Sequence, residues 1–173
     1  TTRVARWQRN AGRFVTFGYG LGIDAPGLKL PDADVNQVRH HVALAHGLAV
    51  QAIRARGRAG TKVGPAENLA TCVPAFDSPD HVRAAEMATR ELNSGFLGVI
   101  LEGKYTDGFL QYAGRNAPKF TADELKIISS PNDFVGLNIY APQFYIAASD
   151  KAPGWKMLPF PASFPHMSSD WLR

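Results

Sequence analysis

Between Ala33 and Arg56, apolar side chains recur at helical spacing. Val35, Val38, Val42, Ala45, Ala49, Ala52 and Ile53 mark a stripe that predicts one long helix with one buried face. Asp32 or Asp34 can cap its free N–H groups, Arg54 and Arg56 suit the negative end of its dipole, and Gly57 ends it. Thr61 to Leu69 then reads as a strand, in which Pro65 is confined to the start, a bulge or an edge because it cannot donate to a ladder. Ser78, Pro79 and Asp80 supply the cap, first residue and charge that open a second helix, running to about Asn93.

Phe96 to Tyr105 is an apolar segment ending in the turn Thr106-Asp107-Gly108, with a short helix following around Phe109 to Ala113. Thr121 and Glu124 have capping-box spacing, which predicts a helix over Ala122 to Ser129. Asp133 to Tyr140 is a mostly apolar strand closing on polar Asn138 and Tyr140, and the aromatic-rich, proline-rich stretch from Ala141 to Arg173 is expected to be long loop. Helix, strand, helix, helix, strand is the order of an α/β chain whose parallel strands are joined by crossover helices.

Composition narrows the picture. A chain of 173 residues, 45% hydrophobic and 20% charged, with no internal repeat or linker, is expected to form a single domain over residues 1–173. The single cysteine, Cys72, excludes an intrachain disulfide scaffold and fits a reducing, cytoplasmic setting. No apolar run of about 18 residues exists, so no membrane association is expected. The net charge of +4 is dispersed, and no aromatic residues interleave with the arginines at the start, so no nucleic-acid partner is expected.

Candidate chemistry is sparse. His40 and His41 are adjacent and point about 100° apart on a helix, which does not make a facing metal pair; they and His46 read as helix-surface or core-edge residues. Cys72, between Thr71 and Val73, reads as a packed thiol rather than a nucleophile. The glycines at 18, 20 and 22 lack the strand and helix that a phosphate loop requires. Among the glutamates, Glu86, Glu91 and Glu124 fall in helices and Glu102 stands beside a turn in solvent. Glu67 alone lies near a strand end, and alternation puts it and Asn68 on opposite faces, so at most one of them looks into a cleft.

Four stretches, in order, carry a resemblance: GYGLGIDAPG (Gly18 to Gly27), HHVALAHGLAVQAIR (His40 to Arg54), KVGPAENLATCVPAFDSPDHVRAAE (Lys62 to Glu86) and FTADELKIISSPNDFVGLNIY (Phe120 to Tyr140). Together they resemble glycoside hydrolase family 1, the β-glucosidase family, over about Val15 to Arg173, leaving residues 1–14 unmatched. The resemblance implies part of a (β/α)8 barrel, about strands four to six, with its active site at the carboxyl ends of the strands. It implies Asn68 and Asn138 as substrate-binding residues, and Tyr140 as the group that orients the nucleophilic glutamate by donating its phenol O–H. The bland alternatives are strand-end asparagines that satisfy backbone and a core tyrosine.

The sequence also departs from the family. Its acid/base motif, Asn-Glu-Pro, and its nucleophile motif, Thr-Glu-Asn-Gly, are both absent, and Asp24 stands where the family has histidine. A complete barrel needs about 250 residues, so the chain reads as an incomplete part of a longer β-glucosidase, inactive alone. No cofactor or metal is implied; the implied partner is a β-glucoside or oligosaccharide substrate, and a homo-oligomer is possible. A non-catalytic saccharide-binding or scaffold protein of the same fold is the rival reading.

Overall fold

The computed structural model describes residues 27–139, 144–161 and 163–164. Its longest element is the helix α1, Asp32–Arg56, which begins where Pro31 fixes the entering backbone and ends at Gly57. The cap position is Pro31, which brings no side-chain acceptor. Asp32 and Asp34 instead stand in the first turn, where their charge suits the helix dipole.

The buried stripe of α1 differs from the expected one. Val35, Arg39, Ala43, Gly47 and Val50 face inward, whereas Val38, Val42 and Ile53 are exposed, as are Ala45, Ala49 and Ala52. The helix carries two apolar stripes, and hydrophobic spacing alone does not say which one the neighbouring elements cover.

Strand β1, Ala66–Asn68, follows, shorter than the expected nine-residue span, with Pro65 just before it. Strand β2 is Cys72–Pro74, α2 is Pro79–Asn93, and the apolar segment after it continues as a π-helical stretch, Ser94–Gly98, into α3, Val99–Glu102. Helix α4, Asp107–Ala113, is capped by the Thr106 hydroxyl accepting from the Phe109 N–H, and a short 3-10 turn, Gly114–Asn116, follows. Helix α5, Ala122–Ile128, has the expected capping box: Thr121 accepts from the Glu124 N–H while Glu124 accepts from the Thr121 N–H. Ser78 occupies the cap position of α2, but its hydroxyl is engaged with His81 Nδ1 at 2.8 Å rather than with the backbone.

The described strands lie in two sheets. Strand β1 pairs in parallel with β3, Gly136–Asn138, across the helical crossover. In the other sheet β2 pairs in parallel with β4, Phe144–Ala148, and β4 pairs antiparallel with β5, Trp155–Leu158. These last two strands correct the expectation of loop beyond Ala141. Phe144, Ile146, Trp155 and Met157 alternate inward onto α2, and their burial outweighs the proline and aromatic bias that reads as irregular chain.

Two cores result. One joins that sheet to Ala84, Ala85, Ala88 and Leu92 of α2; the other gathers Ala43, Phe96, Val99, Ile100, Tyr105, Phe109, Ala113 and Ile128 between α1 and the later helices. The helices approach closely because Gly47 has no side chain. A Cβ there would lie 2.1 Å from the carbonyl oxygen of Ile127. The last residue of α2 ties that helix to the segment between β1 and β2: the Asn93 side chain accepts from the Ala70 N–H and donates to the Ala70 carbonyl, both at 3.0 Å.

Candidate functional site

The parallel pair β1–β3 sets the site. Its start is pinned from α1, where Arg54 Nη2 donates to Asp133 Oδ2 at 2.5 Å. The same carboxylate oxygen accepts from the Val63 N–H at 2.8 Å, and the Asp133 N–H donates to the Val63 carbonyl at 2.8 Å. These bonds hold the Asp133 carboxyl below the usual carboxylate range, the Val63 N–H being the larger cause and Arg54 the next. Gly64 allows the strands to close up, since a Cβ on it would meet the Phe134 carbonyl oxygen at 2.0 Å.

From that anchor the register runs Ala66 to Gly136, Glu67 to Leu137 and Asn68 to Asn138, and the Leu69 N–H continues the ladder to the Asn138 carbonyl at 3.1 Å. Asn68 and Asn138 are therefore direct neighbours at the carboxyl ends of adjacent parallel strands, about 4.8 Å apart across the ladder. Side-chain alternation puts both on the face that also carries Ala66 and Gly136, and both asparagines are exposed. Neither side-chain amide is engaged in a hydrogen bond among the described residues, which leaves donors and acceptors aimed at one side of the sheet. Tyr140 lies outside the described residues, as does Gly18 to Pro26 of the glycine-rich stretch.

The opposite face of β1 carries Glu67, half-buried, whose carboxyl burial pushes up to about 7 against the opposing pull of Arg39. Arg39 comes from the buried stripe of α1 and is 4% exposed. Burial lowers its guanidinium to about 10, with Tyr105 and then Glu67 opposing that shift. Its Nε has no hydrogen-bond partner among the described residues. Beside it His40, wholly buried, shares a 2.9 Å hydrogen bond between Nδ1 and the Tyr105 hydroxyl, and its Nε2 stands 3.7 Å from Glu124 Oε2. Burial lowers the His40 imidazole, partly opposed by Glu124. Sequence reasoning missed Arg39 and Tyr105: a charged residue in an amphipathic helix reads as surface, and only the packing reveals otherwise.

The other sequence candidates separate from this site. Cys72 is partly buried at the edge of the α2 core, and burial raises its thiol to about 11, which leaves it an unreactive packed group at neutral pH. His46 bonds Asn132 through Nε2 at 3.0 Å, and Glu102 pairs with Arg90 at 2.7 Å. Among the described residues no group of three or more His, Cys, Asp or Glu side chains is placed to hold a metal ion. Nor is any described helix long and apolar enough to cross a membrane.

A parallel strand pair with polar residues at its carboxyl ends, joined by a helical crossover and flanked on the other side by a long helix, is the unit of a (β/α)8 barrel. Comparison with known proteins agrees. The model of glycosyl hydrolase family 1 matches residues 2–157, and the chain belongs to that family.

It is 34% identical over 144 residues to a beta-glucosidase of Agrobacterium sp., covering 83% of this chain and 30% of that protein. It is 33% identical over 142 residues to myrosinase 1 of Arabidopsis thaliana, covering 75% of this chain and 26% of that protein. Among solved structures, virulence factor SghA from Agrobacterium tumefaciens, in complex with its substrate analog salicin, superposes with a TM-score of 0.70 at 29% identity, covering 91% of this chain and 35% of that one. Beta-glucosidase 2 from Trichoderma reesei gives 0.73 at 26%, covering 94% and 38%. The chain thus corresponds to part of a family barrel, spanning about 26% to 30% of those curated relatives, and the described strands form no closed barrel.

Proposed function

We propose that this chain is a central part of a retaining β-glucosidase, and that Asn68 and Asn138 hydrogen-bond the hydroxyls of the sugar ring at its cleavage site. The observation that carries this is the register pairing of the two asparagines on one exposed face, at the carboxyl ends of adjacent parallel strands, in a member of glycosyl hydrolase family 1. Each amide offers a carbonyl acceptor and two N–H donors, the set needed to grip a vicinal diol. In a retaining enzyme one carboxylic acid protonates the leaving oxygen while a second, about 5 Å away, attacks the anomeric carbon; water then releases the sugar. Neither acid motif occurs in these residues, so they supply grip rather than bond cleavage.

Tyr140, two residues beyond Asn138, is assigned to orient the nucleophile through its phenol O–H. The substrate class proposed is a terminal β-glucoside or cello-oligosaccharide. The exposed stripe Val38, Val42, Ala45, Ala49 and Ala52 supports the view that further barrel elements cover α1 in the complete protein, since such a stripe in water is unfavourable. The lone cysteine supports a cytoplasmic setting, testable by cell fractionation, and light scattering of the complete protein tests self-association.

In the complete protein, Asn138→Ala should lower kcat/KM toward an aryl β-glucoside by about tenfold to a hundredfold, as expected for a lost hydrogen bond to substrate. Unchanged kinetics in both Asn68→Ala and Asn138→Ala would refute the site. Saccharide binding without any hydrolysis by the complete wild-type protein would favour the scaffold reading.

A further inference from the structure

Strands β1 and β3 have little of their own to fix their alignment. Neither contains a fully buried residue, so no hydrophobic face selects one register over another, and the connection between them, 69–135, is too long for a turn to set it. A slip of one residue would turn Asn138 to the face opposite Asn68 and undo their pairing. The register is held instead by the two segments that enter the strands.

The Arg54 guanidinium, in the last turn of α1, reaches both segments. Ahead of β1 its Nη1 donates to the Thr61 carbonyl at 3.0 Å; ahead of β3 its Nη2 donates to the Pro131 carbonyl at 3.4 Å and to Asp133 Oδ2 at 2.5 Å. Asp133 completes the joint. The same carboxylate oxygen accepts from the Val63 N–H at 2.8 Å, the Asp133 N–H donates to the Val63 carbonyl at 2.8 Å, and Lys62 Nζ stands 3.6 Å from Oδ1. The pairing of Val63 with Asp133 continues the register of Ala66 with Gly136 and of Asn68 with Asn138, so joint and ladder are one alignment. We propose that Arg54 and Asp133 are positioning residues that lock the β1–β3 register and so hold the Asn138 amide beside Asn68, aimed at the sugar. This rests on the reading of Asn138 as a sugar-binding residue.

The test uses steady-state kinetics of the complete protein on an aryl β-glucoside, comparing Arg54→Met, Arg54→Lys, Asp133→Asn, Asn138→Ala, Gln51→Ala and the double variant Arg54→Met/Asn138→Ala. Arg54→Met and Asp133→Asn are each expected to raise KM by about tenfold, the ratio that corresponds to one misaimed hydrogen bond, with a smaller fall in kcat. Arg54→Lys keeps a cation facing Asp133 and should recover part of the loss. In the Asn138→Ala background Arg54→Met should add little, because the group it aims is gone. Where Asp133→Asn does not fold, Arg54→Met decides alone: the Arg54 side chain is 41% exposed, and Lys62 remains beside the Asp133 carboxylate.

Gln51→Ala separates this role from simple attachment of α1. Gln51 Nε2 donates to the Ser130 hydroxyl at 3.1 Å, tying the same helix to the same approach to β3 without bridging to β1, and its loss should leave KM unchanged. An equal rise of KM in Gln51→Ala, an unchanged KM in Arg54→Met, or additive effects of Arg54→Met and Asn138→Ala would each overturn the inference while leaving the Asn138 site intact. An unchanged KM in Asn138→Ala would overturn both.

Discussion

Gly47 lies in the interior of a 25-residue helix, where intrinsic propensity favours alanine by about 1 kcal/mol. On that ground alone Gly47→Ala would stabilise the protein. The structure demands the reverse sign. The new Cβ would sit 2.1 Å from the Ile127 carbonyl oxygen, 2.6 Å from its carbon and 2.8 Å from the Ile128 Cα, all backbone atoms that no rotamer change can move aside.

Relief requires α1 and α5 to separate by about 1 Å, loosening the packing of the wholly buried Ile128 and Ala43. Overpacking of this kind costs about 1–3 kcal/mol, and contact with backbone puts it at the upper end; after the propensity gain, a net loss of about 2 kcal/mol remains. Urea unfolding of the complete protein, followed by far-UV circular dichroism, measures it as a drop in midpoint at constant m-value. Ala49→Gly on the exposed face of the same helix is the control, expected to cost about 1 kcal/mol from propensity alone. A Gly47→Ala midpoint equal to or above wild type would refute the close backbone approach of α1 and α5.

The capping box gives a second expectation: Thr121→Ala should destabilise by about 1 kcal/mol and Thr121→Ser should restore most of that, read by the same unfolding curves. Glu67 gives a pH-dependent one. Its carboxyl is raised in the fold to about 7, so the folded state holds the proton longer than the unfolded chain and stability falls as pH rises toward and through 7. Glu67→Gln should therefore unfold at a higher temperature than wild type at pH 8 and nearly the same at pH 4. Equal melting temperatures at both pH values would show that the carboxyl is not perturbed by burial.

How far these features could be read in advance depended on whether the physics was local. The span of α1, the capping box at Thr121 and the Pro79 start of α2 are local effects, and the sequence shows each within a residue or two. The buried face of α1 is not local. Val38 and Val42 form as good a stripe as Val35 and Ala43, and the choice between them is made by α5 through Gly47, a contact about 80 residues away in sequence. Arg39 and His40 then fall on the buried side, against their hydropathy.

The β4–β5 hairpin was hidden because Phe144, Ile146, Trp155 and Met157 need α2 as a partner before their alternation means anything. Asn68 and Asn138 were legible only through the family motifs, since a strand-end asparagine has no intrinsic signature. Their direct pairing across β1 and β3 came from the structure.

A crystal structure of the complete protein with a non-hydrolysable β-glucoside tests the central claim most directly. The side-chain amides of Asn68 and Asn138 should both lie within about 3.2 Å of hydroxyls on the same sugar ring, seated at the carboxyl ends of β1 and β3. A sugar bound elsewhere, or ring hydroxyls held by other residues with both amides turned to solvent, would contradict it.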